Sequence, residues 1–407
     1  MREITGGVCA AQGFKAGGIW CGIKASSRKR DLALIYSDKP CVAAALFTTN
    51  RVKAASVLIT QEHIAYGKIR GVIANSGNAN ACTGAAGLAA SRSMAELAAR
   101  KLRLSIEEIG VASTGVIGVP LPVEVIEAGI DSLIGSLSSD TAGHEAALEA
   151  IMTTDTRKKD ASIEVDINGT PIHIGCMVKG SGMIHPNMAT MLCFITTDIS
   201  ISRELLDKAL RQAVKRSFNR VTVDGDTSTN DTVLIMANGA AENPPIDAEG
   251  PGFQTFAAAL EVLCIKLAQA MARDGEGATK LVTVAVQGAA DEDAAAVFAK
   301  SVASSSLVKA ACFGADANWG RVLCALGYGG IDFDPHAVEV TFMSNEGKVT
   351  VCRKGTLVSF SEAEAKKILS EEEIEILITV GNGHGQASVW GCDLTYDYVK
   401  INGDYRS

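Results

Sequence analysis

Apolar and polar residues alternate along several stretches of the chain, and this predicts β-strands because successive side chains of a strand point to opposite faces. The clearest case is Ile163 to Ile174, IEVDINGTPIHI, in which Asn168-Gly169 supplies the positive-φ residues of a two-residue hairpin. A second hairpin is predicted over Val338 to Cys352, with its turn around Asn345 to Gly347. Two later segments, IEILITV and DYVKI, are predicted to form further strands.

Helical patterns lie between these strands. Ala86 to Leu102 has good helix formers and few breakers, and Phe253 to Arg273 is a long segment rich in Ala and Leu. Ser202 is predicted to cap a helix over RELLDKALRQAVKRSF, since Glu204 lies in its first turn and basic residues in its last. Hairpins interspersed with helices favour antiparallel or mixed sheets flanked by helices. The predicted fold class is therefore α+β rather than a parallel doubly wound sheet.

Composition and charge narrow the class of protein. Of 407 residues, 47% are hydrophobic and 21% charged, which is too apolar for a disordered chain. The formal charge of −8, without a dense run of Lys or Arg, argues against a nucleic-acid binder. The N-terminus does not resemble a signal peptide, and no apolar stretch is expected to reach the ~18–20 residues of a membrane helix. We therefore expect a soluble, cytoplasmic protein with neither a nucleic-acid nor a membrane partner.

The cysteines and histidines do not indicate a metal site. The 11 cysteines are scattered without a C-x-x-C pair, so neither a disulfide framework nor a zinc ribbon is predicted. Cysteines in apolar runs, such as Cys264 and Cys324, are expected to be reduced and buried. The six histidines are dispersed, and we expect no metal and no bound cofactor.

The most unusual stretch follows Met177. A Gly-punctuated segment from Lys179 to His185 precedes Pro186 and runs through Ala189-Thr190 into the apolar, strand-like MLCFITT. A phosphate-binding loop leaves a strand and opens a helix, so the reverse order found here argues against a P-loop. Composition alone favours a tight turn before a buried strand.

Lys179 to Leu192, KGSGMIHPNMATML, resembles the self-cleavage segment of the ornithine acetyltransferase family, also called glutamate N-acetyltransferases. Seven further segments resemble that family in the same order, namely GGVCAAQGFKAGGIWCGIK near the start, NSGNANACTG from Asn75, STGVIGVPLP from Ser113, MTTDT from Met152, NRVTVDGDTSTNDT from Asn219, DGEGATK from Asp274, and CDLTYDYVKINGDYRS at the end. Eight segments in register over essentially the whole chain make the resemblance specific.

The resemblance implies a layered α/β sandwich of the N-terminal-nucleophile type, whose precursor breaks its own Ala189–Thr190 bond. The products would be an alpha chain, 1–189, and a beta chain, 190–407, intertwined rather than folded as independent domains. Two chains of each kind would form a heterotetramer. Cleavage frees the α-amino group of Thr190, whose ordinary pKa of ~7.7–8.0 suits it to act as the base for its own hydroxyl.

The resemblance also implies the reaction, which is acetyl transfer from N2-acetyl-L-ornithine to L-glutamate in arginine biosynthesis. Thr190 would be the nucleophile, and Thr114 and Gly115 would form the oxyanion hole. The implied substrate contacts are Thr153, Lys179, Thr190, Glu276, Asn402 and the terminal Ser407. Lys179 is a natural counter-charge for an α-carboxylate, and Glu276 for the side-chain ammonium of ornithine. The sequence leaves open whether acetyl-CoA is a second acetyl donor.

Two other classes of function remain open. An N-terminal-nucleophile aminopeptidase or amidase would share the self-cleavage but pass the acyl group to water. An uncleaved oligomeric scaffold rich in Gly and Ala would carry out no chemistry. Near the cleavage bond, His185 is expected to stabilise the loop rather than act as a base. The acidic segment from Asp224 to Asp231 does not follow the calcium-loop pattern and is interpreted as a polar loop near the active site.

Overall fold

The fold was obtained as a computed structural model, which describes residues 1–24, 27–185 and 191–404. Within these ranges the strands are β1 (Arg2–Ile4), β2 (Phe14–Ile19), β3 (Leu32–Ser37), β4 (Val42–Phe47), β5 (Gly71–Asn78), β6 (Ile109–Val116), β7 (Lys159–Ile167), β8 (Thr170–Lys179), β9 (Leu192–Thr197), β10 (Thr232–Ala237), β11 (Leu281–Ala289), β12 (Glu339–Ser344), β13 (Gly347–Arg353), β14 (Thr356–Leu357), β15 (Glu373–Thr379) and β16 (Gly385–Cys392). The helices are α1 (Ala55–Ala65), α2 (Gly84–Leu102), α3 (Val123–Gly135), α4 (Thr141–Ile151), α5 (Arg203–Arg216), α6 (Pro251–Arg273), α7 (Glu292–Ser304), α8 (Ser306–Phe313), α9 (Trp319–Gly327), α10 (Glu362–Leu369) and α11 (Tyr396–Gly403).

The chain forms two compact units, and each contains residues from both sides of position 189. The first unit comprises Met1–Gly180, Asn187–Asn219 and Thr227–Leu267, and the second comprises Ser181–Pro186, Arg220–Asp226 and Ala268–Ser407. The division into residues 1–189 and 190–407 concerns cleavage of the chain, and it stays a prediction.

The first unit is layered from two sheets. A six-stranded sheet has the order β1-β7-β8-β9-β10-β4, and a four-stranded sheet has the order β2-β3-β5-β6. Strand β3 explains the layering, because its sequence LALIYS is apolar on both faces. Ala33 and Ile35 belong to a core shared with the six-stranded sheet, whereas Leu32 and Leu34 pack in a core with residues of α2 and α3. The four-stranded sheet is therefore covered on both faces.

The second unit has one mixed sheet of its own, in the order β14-β13-β12-β15-β11-β16. Its strands β11 and β15 are parallel and its other neighbours antiparallel. Buried residues of α7, α9 and α10 complete the core on this sheet. Each of the three sheets combines one parallel pair with antiparallel pairs, and helices pack against the four-stranded sheet and the sheet of the second unit, so the predicted α+β class with mixed sheets flanked by helices is confirmed.

Both predicted hairpins are confirmed. Strands β7 and β8 are joined by Asn168 and Gly169, whose φ angles of 54° and 86° match the positive values that a two-residue hairpin turn requires. Strands β12 and β13 pair from Val340 to the turn after Ser344. The predicted helices also form, and Ser202 Oγ accepts the backbone N–H of Leu205 at the start of α5.

Two expectations are wrong. The segment DYVKI is helical, because Thr395 Oγ1 accepts the backbone N–H of Tyr398 and caps α11. Cys324 is exposed, although it lies in an apolar run, since it falls on the outer face of the amphipathic helix α9. Cys264 is buried as expected.

The longest helix, α6, also differs from expectation. By length and composition it could cross a membrane, and the bent pair α7 and α8 would pass the same test together. Half of the most apolar window of α6 is buried. The buried side chains include Phe256, Leu260, Leu263 and Leu267, which share one helical face. A long apolar helix with one buried face is also typical of a protein core, so length and composition alone do not make α6 a membrane span.

Candidate active site

Close packing of two backbones fixes the position of the predicted oxyanion hole in the first unit. Thr114 and Gly115 lie near the end of β6, which runs parallel to β5 with Gly115 opposite Gly77. Gly115 has a φ of 134°, and a Cβ there would lie 2.3 Å from the carbonyl carbon of Gly77. Only glycine fits such an approach, so the residue type at this position follows from the strand pairing.

Lys179, the last residue of β8, contacts Thr114. Its side chain is buried, and its Nζ donates a hydrogen bond to Thr114 Oγ1 over 3.2 Å. Because the hydroxyl oxygen accepts this bond, the hydroxyl proton of Thr114 can be donated to another acceptor. The structure therefore brings together two predicted site residues that are 65 positions apart in the sequence.

Asp155, which the sequence did not single out, connects Thr153 to the end of β8. Its Oδ2 accepts the backbone N–H of Thr153 over 3.0 Å, and its Oδ1 accepts the backbone N–H of Gly180 and the Nζ of Lys159, each over 2.7 Å. Burial raises the pKa of this carboxyl, but the charges of Lys179 and Lys159 outweigh burial and lower it to about 2. Asp155 is thus ionised at neutral pH and balances the buried ammonium charge.

Asp231 lies beside the start of β9. Its Oδ1 accepts the backbone N–H of Met191 over 3.0 Å, while its Oδ2 is buried without a hydrogen-bond partner in the described part of the chain. Burial raises the pKa of Asp231 well above its ordinary value, against smaller opposing effects. The predicted polar loop therefore carries a carboxyl group that holds the residue following Thr190.

The second unit contains Glu276 and Asn402, the other predicted substrate contacts among the described residues. Glu276 is buried, and its Oε2 accepts a hydrogen bond from Asn402 Nδ2 over 2.8 Å. Its backbone N–H donates to Ser181 O over 2.8 Å. A Cβ at Gly182 would lie 2.3 Å from the carboxyl carbon of Glu276, so the glycine-rich loop packs directly on this side chain. Asn402 lies in the helix α11.

The Gly-rich segment is also held by Asp224 in the second unit. The Asp224 carboxylate accepts the backbone N–H groups of Met183 and Ile184 over 2.6 Å and 2.9 Å. His185 Nδ1 lies 3.1 Å from Thr222 Oγ1, and burial, aided by the Lys300 charge, lowers its pKa to about 4. A histidine with these contacts fits the expected role in stabilising the loop.

Three predicted site residues, Ala189, Thr190 and Ser407, lie outside the described residues. The others fall into two groups. Thr114, Gly115, Thr153 and Lys179 are in the first unit, whereas Glu276 and Asn402 are in the second. Sequence reasoning missed Asp155, and it placed Asp231 in a polar loop near the active site without giving the residue a role of its own. For Asp155, the Lys at the fourth position after it was an available signal.

Comparison with known proteins extends over the whole chain. An "Arginine biosynthesis bifunctional protein ArgJ 1" of Clostridium acetobutylicum is 51% identical over 97% of this chain and 96% of its own. An "Arginine biosynthesis bifunctional protein ArgJ" of Symbiobacterium thermophilum is 52% identical over 100% of both chains. A solved chain of the arginine biosynthesis bifunctional protein from Bacillus halodurans is 44% identical and covers 52% of this chain and 97% of its own, with a TM-score of 0.49.

The α+β fold and the two full-length relatives define the class of the protein. It is an acyltransferase of arginine biosynthesis. The chain belongs to the ArgJ family, whose model matches residues 15–407. The resemblance to ornithine acetyltransferases noted in the sequence is thereby confirmed.

Proposed function

We propose that the protein transfers the acetyl group of N2-acetyl-L-ornithine to L-glutamate through an acetyl ester on Thr190. The observation that carries this proposal is the hydrogen bond from buried Lys179 to Thr114. It leaves the Thr114 hydroxyl as a donor next to Gly115, as an oxyanion hole requires. A surface turn with no chemical role would not need a buried ammonium group against this hydroxyl.

In the first half-reaction, Thr190 Oγ attacks the acetyl carbonyl carbon of acetylornithine. The new O–C bond forms, the C–N bond breaks, and the hydroxyl proton passes through the α-amino group of Thr190 to the departing nitrogen of ornithine. Thr114 and Gly115 stabilise the oxyanion formed on the way. In the second half-reaction the α-amine of glutamate attacks the ester carbonyl carbon, the new C–N bond forms, the bond from that carbon to Thr190 Oγ breaks, and a proton from the amine returns to Thr190 Oγ. Two half-reactions through one covalent intermediate predict ping-pong kinetics.

The substrate contacts are those that the family resemblance implies, and the charges of two of them support the assignment. Lys179 is a counter-ion for the α-carboxylate that ornithine and glutamate share, and Glu276 is one for the side-chain ammonium of ornithine. The Asn402 hydrogen bond fixes the Glu276 carboxylate in one orientation. The backbone N–H of Thr153 donates a hydrogen bond to Asp155, the carboxylate that the charge of Lys179 keeps ionised. Ser407 completes the proposed set of substrate contacts.

Self-cleavage of the Ala189–Thr190 bond is part of the proposal, since it creates the amino group that serves as the base. The products would stay together as a heterotetramer of two alpha and two beta chains in the cytoplasm. No bound cofactor takes part. The relatives are called bifunctional, and we propose that acetyl-CoA is a second acetyl donor for glutamate here as well.

The proposal is tested with Thr190→Ala, with Thr190→Ser as the matched control. We expect the alanine variant to remain one full-length chain without acetyl transfer, because it has no hydroxyl to attack either the peptide bond or the substrate. The serine variant should cleave and turn over, although more slowly. Denaturing mass spectrometry reads the cleavage, and a coupled assay reads the formation of acetylglutamate.

The acceptor is tested by incubating the wild-type protein with acetylornithine, with and without glutamate. Glutamate-dependent formation of acetylglutamate supports the transferase. Free acetate in place of acetylglutamate would indicate an amidase, and full ornithine release by the Thr190→Ala variant would contradict Thr190 as the nucleophile.

A further inference from the structure

A basic cavity in the first unit borders the proposed site at Thr153, but its basic side chains have no role in the reaction described above. It has a volume of about 790 Å³, within the range of ~300–1,000 Å³ typical of small-molecule and cofactor sites. Four basic side chains line it, Lys24, Arg28, Lys29 and Arg30, together with residues that include Trp20, Glu149, Thr153 and Asp155. This concentration of positive charge stands out in a chain with a formal charge of −8.

The acidic residues of the cavity leave two of its four cations without a partner in the part of the chain that the structure describes. Asp155 accepts hydrogen bonds from Lys159 and Gly180, and Glu149 pairs with Arg30 and Lys158. Arg28 and Lys29 are exposed, and neither has an ion pair or hydrogen bond within the described residues. These two charges are therefore available to an anionic ligand.

The cavity wall is held in shape from within the protein. The buried carboxylate of Asp31 accepts the backbone N–H groups of Cys21, Gly22 and Lys24 and fixes the segment that carries the lysine. Lys24 Nζ donates to Met152 O over 2.7 Å, next to Thr153. Burial lowers the pKa of Lys24 to about 8, so most of its side chains remain charged at neutral pH. A fixed ammonium group is well suited to a phosphate.

The remaining walls fit a nucleotide thioester. Trp20 is 45% exposed, and an exposed indole offers a flat surface for a purine ring. Thr153 and Asp155 also line the cavity, and Asp155 connects it to Gly180, the residue after Lys179 of the predicted site. The cavity thus joins a cationic, aromatic wall to the site of chemistry within one unit.

We propose that this cavity binds the phosphorylated part of coenzyme A, with Arg28, Lys29 and Lys24 contacting its phosphates and Trp20 its adenine. The inference rests on the proposed function and gives the second acetyl donor a site of its own. Acetyl transfer from acetyl-CoA to Thr190 then follows the same course as transfer from acetylornithine. The bond from Thr190 Oγ to the acetyl carbon forms, the C–S bond breaks, and the hydroxyl proton ends on the sulfur of free coenzyme A.

The experiment compares two charge-reversed proteins. The test variant is Arg28→Glu/Lys29→Glu, and the matched control is Arg51→Glu/Lys53→Glu, which changes the charge equally on residues that line a different cavity of the same unit. We expect the test variant to raise KM for acetyl-CoA by roughly tenfold or more and to leave KM for acetylornithine within about twofold. The control should change neither.

Binding is measured separately by calorimetric titration with free coenzyme A and with 3′-dephospho-coenzyme A. Wild-type protein should bind the first more tightly, and added salt should weaken both. An unchanged affinity for coenzyme A in the test variant, an equal loss in the control, or no binding by the wild type would overturn the proposed site. If acetyl transfer from acetylornithine persists in any of these cases, only the coenzyme A site is overturned and the proposed function stands. If the wild-type protein does not transfer acetyl from acetylornithine, the proposed function itself is wrong, whatever the result for coenzyme A.

Discussion

At the scale of single residues, the central feature is a buried ammonium group with two kinds of neighbour. Lys179 donates to the hydroxyl of Thr114, and its charge helps to keep Asp155 ionised. Burying a charge is costly unless it is paired and hydrogen-bonded. This arrangement gives the buried ammonium group of Lys179 a hydrogen-bond acceptor and a counter-charge. It also directs the hydroxyl proton of Thr114 away from Lys179, so that the hydroxyl can act as a donor before substrate binds.

Replacing Thr114 tests that role directly. Thr114→Val keeps the shape of the side chain but removes the hydroxyl, and we expect kcat to fall by ~10²–10³-fold because one oxyanion donor is lost. Thr114→Ser, which keeps the hydroxyl, should retain most of the activity. Steady-state kinetics with acetylornithine and glutamate provide the measurement. Equal activity of the valine and serine variants would mean that the hydroxyl does not stabilise the transition state.

At the scale of elements, the loop between β8 and β9 is shaped by carboxylates distant in sequence. Asp155 holds Gly180, Asp224 holds Met183 and Ile184, and Asp231 holds Met191. Each carboxylate accepts backbone N–H groups that no strand or helix pairs. The described parts of this loop, from Gly180 to Ile184 and at Met191, are therefore positioned by side chains rather than by regular secondary structure.

Gly182 tests how this loop positions Glu276. Gly182→Ala places a methyl group where the Glu276 carboxylate now lies, so the carboxylate must move. A hydrogen bond to a charged group is worth ~1.5–3 kcal/mol, so KM for acetylornithine should rise by roughly tenfold to a hundredfold. Thermal unfolding should show that the variant remains folded.

Gly135→Ala is the matched control, because a Cβ there meets nothing within 4 Å. It should leave KM and the unfolding temperature nearly unchanged. If Gly182→Ala behaved like this control, Glu276 would not be held where acetylornithine binds.

The sequence predicted secondary-structure elements correctly where the residues that determine an element lie within it or next to it. Asn168-Gly169 sets its own hairpin, and Ser202 caps the helix that follows it. The segment DYVKI was misread because its alternating residues suggested a strand, whereas the preceding Thr395 caps a helix. The contacts of Asp155 with Gly180 and of Asp231 with Met191 could not be read from the chain, because each joins segments that are distant in sequence. The family resemblance supplied Lys179 and Thr114, whose contact spans 65 positions.

At the scale of the whole molecule, the six-stranded sheet interleaves the two predicted cleavage products. Strands β9 and β10 follow position 190, yet they lie between β8 and β4, which precede it. β9 pairs with β8 from Lys179–Leu192 to Ile174–Thr197, and β10 pairs with β4 along its whole length. Separating the products would therefore expose strand edges on both sides of the central pair.

We expect the cleaved chains to remain associated without a covalent link. In size-exclusion chromatography under native conditions, 1–189 and 190–407 should elute in one peak, and denaturant should separate them in the same step that unfolds the sheet. Intact mass measurement of the peak fractions identifies both chains. Two native peaks would contradict an interleaved sheet.

One pair of thiols determines how that measurement must be made. Cys176 on β8 and Cys193 on β9 are both fully buried, and their Sγ atoms lie 3.3 Å apart without a bond. Burial, with a further contribution from Cys193, raises the pKa of the Cys176 thiol and so protects it from oxidation in the folded protein. Once the chains are denatured in air, that protection is lost, and a disulfide across these strands would tie 1–189 to 190–407. A cleaved enzyme would then migrate as an intact precursor, so the state of the Ala189–Thr190 bond can be judged only with reductant present.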